Sequence, residues 1–162
     1  MNCNTTRRRF LVTALAGAIG SLALPPRAIA QSGLASLRGR GITPIVTLHH
    51  FTNPLWIADA GGWEAPRVVD WFERFVRFCA REFGGEVDWW CTVNEPEVFA
   101  FRAFSTGVWP PARKNDSLAL EVIANLPEAH GRAYRILHQE DRADADGDGR
   151  TAVVGFAKHC PQ

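Results

Sequence analysis

The run Trp89-Trp90-Cys91-Thr92-Val93-Asn94-Glu95-Pro96 sets an amide and an acid directly after an apolar segment, and a proline directly after the acid. A carboxylic acid at the mouth of a buried strand is the type of group that protonates a poorly leaving oxygen as its bond breaks. The neighbouring Asn offers a donor and an acceptor to a hydroxyl. A second apolar run, residues 42–48, ends in His49 and His50. Acid–base cleavage with two carboxylates needs a partner held at a fixed separation from the first. Asp59, Glu64 and Glu97 are the acids near these runs, and each reads as a solvated surface acid. Glu97 is expected to be turned away by Pro96.

The elements that position these residues follow from pattern. Leu34 and Leu37 fit the end of a helix stopped by Gly39 and Gly41. Residues 42–48 are β-branched and apolar, as in a strand buried on both faces. A loop follows, marked by Asn53-Pro54 and Gly61-Gly62. Val69, Phe72, Phe75 or Val76, Cys79 and Phe83 recur at helical spacing, with charged residues on the other face. Pro66 suits the first turn, and Gly84-Gly85 is expected to end that helix. The segment around Trp89–Val93 is a second strand. Asp116 or Ser117 is expected to cap the next helix, which Pro127 should break or restart. Residues 151–159 form a third strand. Alternating apolar strands and helices indicate an α/β fold with a parallel sheet. His49, His50, Asn94 and Glu95 then share the C-terminal ends of the strands, the catalytic rim of a (β/α)8 barrel.

The N-terminus reads differently. Arg7-Arg8-Arg9 precede an uncharged stretch from Phe10 to Leu24, and Ala28-Ile29-Ala30 closes it. This is an export signal with an A-x-A cleavage site, and Thr6 to Leu11 resembles the twin-arginine motif. Its apolar part is short of the ~20 residues of a membrane span. Residues 1–30 are therefore expected to be a signal and residues 31–162 an exported domain, periplasmic or extracellular, with no stable membrane span after cleavage. The signal holds four of the 18 basic residues and none of the 17 acidic ones, so the remainder carries a formal charge of −3. Well-mixed charge gives no sign of nucleic acid as a partner.

No cysteine–histidine spacing suggests zinc. Adjacent strand residues point to opposite faces, so His49 and His50 do not share an ion. Asp144 to Gly149 match the first half of a calcium loop, but Gly155 stands where the bidentate Glu belongs. The segment reads as an acidic turn; a calcium module would instead show Ca²⁺-dependent stabilisation lost in Asp146→Ala.

Gly41 to Trp63, followed by Trp71 to Pro96, resembles family-1 glycoside hydrolases, the β-glucosidase family. The similarity rests on His50-Phe51 with Pro54, on Gly61-Gly62-Trp63, and on Thr92-Val93-Asn94-Glu95-Pro96. Residues 128–139 and 153–159 resemble the next helix and strand. The resemblance implies a partial (β/α)8 TIM barrel, roughly strands 3 to 5 with their helices. It implies Glu95 as general acid/base, and Asn94 and His50 as ligands of the sugar in the −1 subsite. Phe51 stands where the family commonly has Trp, at a sugar-contacting position. The substrate implied is a β-glycoside, cleaved with retention and without a cofactor. The family's nucleophile belongs to a later strand, so the chain is expected to be a fragment, inactive alone, with another chain supplying the remaining strands. The alternative is a non-catalytic exported module that binds sugar or a partner.

Overall fold

A computed structural model of the chain describes residues 8–13 and 26–160. Four strands, β1 (Arg8–Thr13), β2 (Ile42–His49), β3 (Trp89–Asn94) and β4 (Val153–Ala157), form one sheet in the order β1-β2-β3-β4. Every pairing is parallel. The helices are α1 (Pro26–Gly39), α2 (Leu55–Asp59), α3 (Val68–Phe83), α4 (Pro96–Ala100) and α5 (Asp116–Glu140). The α/β expectation holds, with one more strand than the three read from the sequence. That strand, β1, lies inside the segment read as an export signal, and α1 runs across its A-x-A site. Residues 14–25, the rest of that signal's apolar part, lie outside the described residues.

Register explains which residues face the helices. Val46 pairs with Trp90, and Thr47 with Cys91. The face carrying Trp90 and Thr92 turns to α5. The Trp90 indole donates to the carboxylate of Asp141 at 2.8 Å. The Thr92 hydroxyl donates to the Gly155 carbonyl, so His130 Nδ1, 2.7 Å away, supplies its N–H to the Thr92 oxygen. Strand β3 is thereby tied to α5 and its C-terminal cap by polar contacts inside an apolar layer.

That layer is built from α3 and α5. Val69, Phe72, Val76, Cys79 and Ala80 are buried on α3, and Val122, Leu126, Ala129, Ala133, Ile136 and Leu137 on α5. Charged residues between the helices pair with one another. Arg77 and Arg81 both reach Glu140, and Arg132 reaches Asp70, Glu73 and Glu128. Exposed pairs of this sort contribute up to ~1 kcal/mol each, so burial of the apolar stripe dominates the joint.

Two local expectations are corrected. Pro127 neither breaks nor restarts a helix, because α5 is continuous through it. Pro127 is exposed, while Leu126 and Ala129 on either side stay packed. The cap of α5 is Asn115, one residue before the expected position. Its side chain accepts from the amides of Ser117 and Leu118. Gly84-Gly85 ends α3 as expected, with Gly84 at the C-cap in a right-handed helical backbone. Glycine is required there for space: a Cβ would lie 2.5 Å from Asp141 Oδ1.

The acidic turn folds on its own carboxylates. Asp144 accepts from the amides of Gly147, Asp148 and Gly149. Buried Asp88, which pattern did not single out, accepts from Ala145 and Asp146 and holds the turn against the start of β3. Asp88, Asp144 and Asp146 bring carboxylate oxygens within 4.8 Å of one another.

Candidate active site

Glu95 ends β3 and precedes the first turn of α4, with φ 44° and ψ 61°. This left-handed backbone costs a non-glycine residue roughly 1–2 kcal/mol. It persists because both peptide groups are held. The Glu95 amide donates to the Ala157 carbonyl at 2.8 Å, and its carbonyl accepts from the Phe99 amide at 3.0 Å. Pro96, with its fixed φ, starts the helix immediately after. Strain of this kind, fixed by neighbours, is what a functional position tolerates.

The carboxylate borders a cleft of about 530 Å³ lined by Glu95, Glu97, Val98, Phe101, Arg102, Trp109 and His159. His159 Nδ1 lies 3.9 Å from Glu95 Oε1. The cleft corrects the expectation for Glu97. The turn into α4 does not send it away, because Glu97 lines the same space two residues on. Glu64 is not merely solvated either: it pairs with Arg113 at 2.9 Å. Arg102 and Phe101 escaped the sequence reading because no motif marks a short helix running on into a wider turn at Phe101–Ser105.

At the end of β2 the structure brings the other expected residues to the same rim. Asn94 Nδ2 lies 3.4 Å from His50 Nε2. His50 Nδ1 is buried without a partner among the described residues. Phe51 also adopts a left-handed backbone, φ 67°. Its ring packs among His50, Phe99 and Trp109, with centroids 4.9, 6.1 and 4.8 Å away. Phe51 therefore buttresses the rim and is itself half-buried.

His49 plays a different part. It is buried, and its Nε2 accepts from the Trp63 indole at 3.0 Å. Burial, aided by neighbouring His50 and opposed by the Asn53 hydrogen bond, lowers its pKa to about 4, so the ring is neutral. The same indole reaches Asn53 Oδ1 at 3.1 Å, and the Trp63 carbonyl accepts from Asn125 of α5. One tryptophan thus fastens the loop after β2 to the helix layer, as a core role for His49 predicts. Cys79 and Cys91 are buried free thiols, both pushed up in pKa by burial, Cys79 to about 12. They are inert packing.

The sequence profile of glycosyl hydrolase family 1 matches residues 31–157. Beta-glucosidase A of Thermotoga maritima is 33% identical over 119 residues, which are 74% of this chain and 26% of that protein. The cytosolic beta-glucosidase of Homo sapiens is 35% identical over 95 residues, 58% of this chain and 20% of the human one. A solved beta-glucosidase from Thermotoga maritima, in complex with glucoimidazole, superposes with TM-score 0.81 at 25% identity. It covers 92% of this chain and 33% of its own. The match thus spans about a quarter of one curated relative's length and a fifth of the other's, and the chain's parallel sheet corresponds to part of a (β/α)8 barrel. With a match over most of its length, this chain belongs to glycosyl hydrolase family 1.

Proposed function

We propose that the chain carries the acid/base side of a retaining β-glycosidase site, acting on terminal β-linked sugars. The observation that carries this is Glu95: a strained residue held at a strand end, with its carboxylate on an open cleft. Glu95 gives its proton to the glycosidic oxygen as the bond breaks. It then takes a proton from the water that releases the sugar. Asn94 and His50 hold hydroxyls of the sugar on the −1 side. The orphaned Nδ1 of His50 is a polar group with a bond still to make. Phe51 contacts the same sugar. The beta-glucosidase names of the relatives support the substrate class.

Retention needs a second carboxylate about 5–5.5 Å away, across the sugar ring. Among the described residues the other carboxylate on this cleft is Glu97, which approaches from the same wall as Glu95. The nucleophile in this proposal is therefore supplied by polypeptide outside residues 26–160, added at the free edge of β4, and the chain alone is inactive. Export through the twin-arginine route belongs to the same proposal and rests on residues 6–30. The test is turnover of 4-nitrophenyl β-D-glucoside. The expected result is none from the chain alone, and turnover after mixing with the remaining strands of a family-1 barrel, abolished by Glu95→Gln. Robust turnover by the chain alone would refute the division of the site. Complemented turnover indifferent to Glu95→Gln would refute the role of Glu95.

A further inference from the structure

We infer that the chain masks its own export motif when it folds: the arginine segment serves as an edge strand, and export needs that strand to leave the sheet. This rests on the proposed reading of residues 6–30 as a twin-arginine signal. The motif runs from Thr6 to Leu11, and β1 runs from Arg8 to Thr13, so Arg8 to Leu11 belong to both. The ladder is unbroken. Arg8 lies beside Ile42, Phe10 beside Pro44 and Thr13 beside Thr47.

The two uses of this segment exclude one another. A signal is read by a receptor, and its apolar run then enters the membrane. That run begins at Phe10, so Phe10 to Thr13 are held in the sheet. A backbone spent on a neighbouring strand is not free for a receptor groove, nor for the self-satisfied helix a bilayer demands. The cleavage site is occupied as well, since Ala28-Ile29-Ala30 lies in the first turns of α1. A protease takes such a segment only when it opens.

Detachment is local. β1 has one strand neighbour, β2, and β2 keeps its separate ladder with β3 when β1 leaves. α1 is fastened by Gln31, which donates to the Glu82 carbonyl, by buried Leu34, and by Arg38, which reaches Glu86. All three follow Ala30 and stay with the domain after cleavage. Loss of β1 opens the edge of β2 over Ile42 to Thr47, a place where another strand can add.

The test compares the full chain with Val12→Pro/Thr13→Pro, which lies beyond the motif. Alternate residues of a strand face its neighbour, so one of the two prolines removes a ladder donor. Hydrogen exchange of the parent is expected to show protected amides within residues 8–13. In the variant, the amides of β2 that face β1 should exchange at least about tenfold faster, while those of α5 stay protected. In a bacterial host with an intact twin-arginine pathway, the variant should be exported several-fold faster than the parent. Residues 1–30 fused to an unrelated folded protein should be exported equally with and without the prolines. The pathway carries folded proteins, so a variant that merely unfolds would be exported less, the opposite sign. Freely exchanging amides at 8–13 in the parent, or equal export of parent and variant chains, would overturn the masking. Retention of both fusions would instead overturn the signal reading, and the masking with it.

Discussion

The helix layer and the strand-end rim of this chain follow opposite rules. Between α3 and α5 apolar side chains are buried and charged ones are paired, Arg132 with three acids and Glu140 with two arginines. At the rim Phe51, Glu95 and Ala112 hold left-handed backbones, and His49 and His50 each keep a buried ring nitrogen without a partner among the described residues. The layer minimises free energy locally, whereas the rim stores strain and unmade bonds. Stability belongs to one region and the proposed chemistry to the other.

Four changes would break or sharpen that contrast. Leu137→Ala, at a fully buried site on α5, should cost 2–5 kcal/mol in urea unfolding. A loss under 1 kcal/mol would mean the layer is not the seat of stability. The root of the rim should respond to pH. His49 has a folded pKa of about 4, below its ordinary value of 6.5, so its neutral form is the folded one. Its contribution is fully present above pH 6.5 and is lost as pH falls toward 4, by about 3 kcal/mol. Asp141 works in the other direction. Burial raises its pKa to about 6, so its contribution is lost as pH rises from 4 toward 6. Unfolding of His49→Gln followed against pH should lack the acid-side loss, and an unchanged profile would contradict a buried neutral ring.

Gly84→Ala should cost roughly 1–3 kcal/mol, since the new methyl meets the Asp141 carboxylate. Much of that loss should return in Gly84→Ala/Asp141→Ala relative to Asp141→Ala alone. Additive costs in the double variant would show that the close approach is not the reason for glycine. The smallest effect concerns the rim itself. Asn tolerates a left-handed backbone better than Glu, so Glu95→Asn should raise stability by up to ~1 kcal/mol, read as a higher Tm. A lower Tm would mean the acid helps to hold the fold and is not merely held by it.

The two regions were also unequally legible. The apolar period of α3 is plain in Val69, Phe72, Val76 and Cys79, and the strand ending at Asn94-Glu95 is bounded by its own proline. The placement of His50, Asn94 and Glu95 on one rim followed from strand order. What escaped was set by distant residues. Pro127 lies inside α5 because burial on both sides of it outweighs the bond it forfeits. Gly84 answers to Asp141, 57 positions away in sequence. The cleft wall of Phe101, Arg102 and Trp109 depends on how α4 runs on into the next turn, which no periodicity announces. Strand β1 was missed because a basic start followed by apolar residues reads equally as an export signal.

The Glu95 amide is bonded to the carbonyl of Ala157, about sixty residues later in the chain. During synthesis the acid leaves the ribosome well before the group that fixes its backbone exists. Its left-handed backbone is therefore a late acquisition of the nascent chain, fixed only once β4 has been made.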